Sequence, residues 1–104
     1  MSKTPKIKRR QFLAGAVAAG PVIAASAGRI CGFHVSDWLV PLPDVLLGRG
    51  MMGDGVIDIR SLRDAVDRAG YVGPIEVEIL NQAIWDEAPD SVLDRVVETF
   101  ESFV

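Results

Sequence analysis

The chain has 104 residues, 49% of them hydrophobic, with one cysteine and one histidine. That length allows one small domain or part of a larger one; the apolar content excludes a disordered polar tail, and the lone Cys and His exclude a disulfide framework and a zinc finger. Charge is unevenly spread: Lys3, Lys6, Lys8, Arg9 and Arg10 stand at the front, whereas the part after Gly28 holds six arginines, no lysine and all fourteen carboxylates, a balance of −8 that speaks against nucleic acid as a partner.

Residues 1–27 read as an address. A basic start is followed by an apolar run from Phe12 to Ala24 and by Ala25-Ser26-Ala27, the small-residue pattern of a secretory cleavage site. The string Lys8-Arg9-Arg10-Gln11-Phe12-Leu13 resembles a bacterial twin-arginine signal, departing from it at Lys8 and Ala14 but not at the paired arginines. The resemblance implies the twin-arginine (Tat) export machinery as a partner, a cargo folded before export, and a periplasmic or secreted protein. An uncleaved membrane anchor is the alternative, disfavoured by glycines and Pro21 within the run.

From residue 28 onward the chain alternates strand and helix. Ile30 to Ser36 is a short β-branched and aromatic run, predicted as a buried strand. Asp37 to Val56 is a long connection punctuated by Pro41, Pro43, Gly48, Gly50, Gly53 and Gly55, with no steady period. A helix follows, with a capping-box-like Ser61…Asp64 pair at its start; Ile59, Leu62, Val66 and Ala69 share one face, and Gly70 is its stop. Ile75 to Leu80 alternates strictly, as a strand does, and a last helix is predicted from about Asp90 to Phe103. Strand, helix, strand, helix makes an α/β chain with parallel strands, a βαβα unit.

Alternation separates a packing face from a chemical face. In the second strand Ile75, Val77 and Ile79 share one side, while Glu76 and Glu78 share the other. In the first, Cys31, Phe33 and Val35 oppose Gly32, His34 and Ser36, so Cys31 reads as a small buried hydrophobe. Parallel pairing would bring His34 and the two glutamates together near the strand ends, where sites on such sheets lie.

Three strings in order carry a resemblance. His34-Val35-Ser36-Asp37, then Gly53-Asp54-Gly55-Val56-Ile57-Asp58, then Ala69-Gly70-Tyr71-Val72-Gly73-Pro74-Ile75-Glu76-Val77-Glu78-Ile79 resemble the C-terminal end of the sugar phosphate isomerase/epimerase family, the xylose isomerase-like (β/α)8 TIM barrels. The resemblance implies a partial barrel, its last two βα units, over residues 28–104. It implies that His34 and Glu78 are two ligands of a divalent metal, Mn, Mg or Co with Zn in related enzymes, the others being a Glu and an Asp from earlier strands. It implies a sugar or sugar phosphate as substrate and proton transfer next to its carbonyl. Asp37 matches an acidic position that orders the loop or contacts substrate. Glu76 and Arg49 are further substrate-binding candidates, Arg49 standing in for a basic residue whose usual position holds Val40. Trp38 and Trp85 follow the strands and either stack on a sugar or pack the loops.

A whole barrel takes about 250 residues. The stretch after Ala27 therefore reads as a fragment that is inactive alone, with self-association or the missing barrel part as partner. A non-enzymatic periplasmic module that binds sugar or metal, or a subunit of a split barrel, is the alternative.

Overall fold

The computed structural model describes residues 19–104, so the twin-arginine-like string and most of the apolar run lie outside the described residues. The elements are α1 (residues 19–25), β1 (Phe33–Val35), β2 (Asp37–Trp38), β3 (Arg49–Gly50), α2 (Ile59–Arg68), β4 (Ile75–Val77), α3 (Gln82–Trp85) and α4 (Pro89–Phe103). The chain is mixed α/β. β1 and β4 pair in parallel with Phe33 opposite Ile75, His34 opposite Glu76 and Val35 opposite Val77, and the Glu78 N–H donates to the Val35 carbonyl at 3.0 Å.

Both strands are shorter than their apolar runs. Pro74 has no N–H to offer the ladder, so pairing begins only at Ile75. Cys31 therefore precedes the paired register, and the expectation that it is buried is corrected: its side chain is exposed.

The connection after β1 contains structure that no hydrophobic period announced. β2 and β3 form a small antiparallel pair, Asp37 opposite Gly50 and Trp38 opposite Arg49. Between them, one Asp44 carboxylate oxygen accepts from the N–H groups of Leu46 and Leu47 at 2.8 and 2.6 Å, a local turn of the kind Asp favours.

Helix α2 starts one motif earlier than expected. Asp58, not Ser61, is the N-cap: its carboxylate accepts from the Ser61 backbone N–H at 3.2 Å and from the Ser61 hydroxyl at 2.7 Å. The Asp58 carboxylate reaches forward to the Ser61 N–H, one of the free N–H groups of the first turn, and takes the Ser61 hydroxyl as well, so the Ser61…Asp64 pairing is not formed. Gly70, at φ 86°, ends the helix in the left-handed region that glycine enters without strain.

Apolar burial is confined to few side chains. Val35, Met52 and Ile59 form the buried centre, and Phe33, Ile75, Val77, Ile79, Val96 and Phe100 pack against it. Helix α4 thus turns Val96 and Phe100 inward. Leu93 and Val97 lie on its outer side, 62% and 49% exposed. Among the described residues no helix is long and apolar enough to cross a membrane.

Candidate functional site

The parallel register sets the chemical face. Glu76 lies directly opposite His34, and Glu78 is the next residue on the same side of β4. His34 Nε2 is 3.0 Å from a Glu76 carboxylate oxygen, and His34 Nδ1 is 3.1 Å from one of Glu78. All three side chains are about half exposed, at 49%, 59% and 58%. The apolar residues between them point the other way into the core, so ordinary strand alternation is what gathers three polar groups on the open side.

The imidazole is held above its ordinary pKa of 6.5, first by its hydrogen bond to Glu78, against partial desolvation, and then by the negative charges of Glu76 and Glu78. A raised folded value means that the contact stabilises fully below about 6.5 and loses that effect as the pH rises through the folded pKa. Proton NMR of the ring is expected to give a midpoint above 6.5, lowered more by Glu78→Gln than by Glu76→Gln; a midpoint at or below 6.5 would contradict the geometry.

The donor set can be tested against a metal by spacing alone. Neighbouring ligands of an octahedral cation at about 2.1 Å lie about 3 Å apart. His34 Nδ1 and the Glu78 oxygen, 3.1 Å apart, have that spacing, and imidazole with carboxylate suits a divalent transition ion. Glu76 meets the other ring nitrogen, so it cannot share the Nδ1 position. Among the described residues no group of three or more His, Cys, Asp and Glu side chains is arranged to hold a metal ion.

Asp37 lies apart from this cluster and is 1% exposed. One carboxylate oxygen accepts from the N–H groups of Trp38 and Ile57 at 2.8 and 2.9 Å, and the other from Gly53 and Gly55 at 3.0 and 2.9 Å. It therefore gathers the Gly53–Ile57 loop beneath the end of β1. Gly55 is required there, because a Cβ would run into the Trp38 carbonyl and the Asp37 carboxylate.

Arg49 lies with its guanidinium 4.2 Å from the Trp38 ring centroid, and its Nη1 is buried without a hydrogen bond. Asn81, which sequence reasoning passed over, fixes this corner: its amide donates to the Arg49 carbonyl at 2.7 Å, while its side-chain oxygen caps α3. An Asn immediately before a short apolar stretch was the available cue. Trp85 donates its indole N–H to the Ile79 carbonyl at 2.9 Å and stays half exposed, which binds it to the loop after β4. Glu87 forms a two-pronged pair with Arg95 at 2.9 and 3.1 Å. A cavity of about 450 Å³ lies between the Gly53–Asp58 segment and the end of α4, and none of His34, Glu76 and Glu78 lines it.

No protein-family model matches the chain, and no curated protein does. Among solved structures it is similar to the crystal structure of protein SMc04130 from Sinorhizobium meliloti 1021, with 39% identity and a TM-score of 0.78. The match covers 81% of this chain and 32% of that one. The chain thus spans about a third of the length of that relative, and its mixed α/β fold is similar to part of a longer protein.

Proposed function

We propose that the chain carries the closing βαβα end of a xylose isomerase-like (β/α)8 barrel of the sugar phosphate isomerase/epimerase type, behind an N-terminal twin-arginine-type export signal. The observation that carries this reading is the parallel register that sets His34 opposite Glu76 and 3.1 Å from Glu78 on the open face of the sheet. His34 and Glu78 would hold a divalent metal, Mn, Mg or Co. When bound, such an ion supplies charge stabilisation to a sugar that loses a proton next to its carbonyl.

The other side chains have separable tasks in this reading. Glu76, with a carboxylate oxygen 3.0 Å from Nε2, fixes the ring orientation and leaves Nδ1 for the ligand position. Arg49, its guanidinium laid on Trp38, would offer its remaining N–H groups to the oxygens of a sugar or sugar phosphate. Asp37 holds the loop beneath them. One imidazole and one carboxylate bind a metal weakly, so the remaining ligands and the catalytic base belong to barrel strands other than β1 and β4.

Titration of the chain with manganese, followed by water-proton relaxation, is expected to show binding with Kd on the order of 1 mM that strengthens as His34 deprotonates. His34→Ala and Glu78→Gln should abolish it, and Glu76→Gln should leave it in place. Binding unchanged in both His34→Ala and Glu78→Gln would end the assignment.

A further inference from the structure

The segment that reads as the end of the export signal is folded. Residues 19–25 are helical, and the turn after them continues their hydrogen bonding. The Ser26 N–H donates to the Val22 and Ile23 carbonyls at 3.1 and 3.0 Å, the Ser26 hydroxyl to Val22 at 2.9 Å, and the Ala27 N–H to Ala24 at 3.2 Å. Gly28, at φ 76°, closes the turn. Gly20, Ala24 and Ala27 face Ala65 of α2 and Ala69 at its C-cap across a groove of about 310 Å³.

The comparison with SMc04130 points the same way. Its match covers 81% of the chain, about 84 residues. Only 77 residues follow Ala27, so the shared fold reaches upstream of the Ala25-Ser26-Ala27 site. A peptidase that hydrolyses the bond after a signal binds the residues before that bond as an extended strand, through their backbone groups. The N–H groups of Ser26 and Ala27 are already committed to α1.

We infer that residues 19–27 belong to the α/β fold and that α1 withholds Ala25-Ser26-Ala27 from signal peptidase once the chain has folded, so that this segment stays with the exported protein. The inference rests on the export-signal reading. A route that carries folded cargo would present the site to the peptidase with α1 already formed.

The test uses the full chain, a synthetic peptide of residues 1–35 as the unfolded control, and a signal peptidase in detergent micelles, with products identified by intact mass. The peptide should be cut between Ala27 and Gly28, and the native chain should be cut at least about tenfold more slowly. Val22→Gly combined with Ala24→Gly, which loosens the helix, should accelerate cutting of the full chain by about tenfold. A native chain cut as fast as the peptide overturns the inference and leaves the export signal standing. A peptide that is not cut at all removes the export-signal reading and the inference with it.

Discussion

Asp37→Ala is expected to lower the stability of the fold by about 3–5 kcal/mol, the largest effect of any single polar substitution. Its carboxylate is the shared acceptor of the N–H groups of Trp38, Gly53, Gly55 and Ile57. A hydrogen bond to a charged group is worth about 1.5–3 kcal/mol, but the four share two oxygens and the loop can open to water, so the loss falls well short of their sum. Asp37→Asn keeps one acceptor oxygen and turns an NH2 group against N–H donors, and it should recover less than half of the loss. Urea denaturation at neutral pH measures both, with the m-value reporting whether the Gly53–Ile57 loop has already opened in the native state. A shift below about 1 kcal/mol for Asp37→Ala would show that the cage is not what holds the loop.

Met52→Ala is expected to cost about 2–5 kcal/mol, the usual range for emptying a core position. Met52 is 0% exposed and belongs to the central cluster with Val35 and Ile59. Only six hydrophobic side chains among the described residues are buried, so there is little reserve to absorb a cavity. The cooperative thermal transition should broaden or vanish, while Val97→Ala, on the outer face of α4, should change stability by less than about 0.5 kcal/mol. Equal losses at the two positions would mean that the cluster around Met52 is not the core of the folded chain in solution.

These two positions differ in how far residue order announced them. Asp37 was visible as an acidic residue three places after His34, and ordering the loop was one of its two expected roles; the groups it orders are sixteen to twenty residues further on. Met52 lay in a stretch with no period, flanked by glycines, where a buried side chain leaves no pattern. The same holds for β2, β3 and α3, each short and stabilised by contacts with distant segments rather than by its own periodicity. Cys31 went wrong for the converse reason: alternation assigned its face, but β4 does not extend far enough to cover it.

What residue order determined by itself is the division of the chain into an apolar, basic front and an acidic α/β part, the two strands, the long helices after each, and the separation of His34, Glu76 and Glu78 from the apolar side chains between them. These follow from backbone period and local charge, which any stretch of chain carries with it. The tertiary structure alone decided which ring nitrogen of His34 meets which glutamate, that Asp37 serves the loop, that Asp58 caps α2, and that α1 lies beside α2. Each depends on register or on contacts between residues far apart in the chain, and neither is written in the pattern of a single segment.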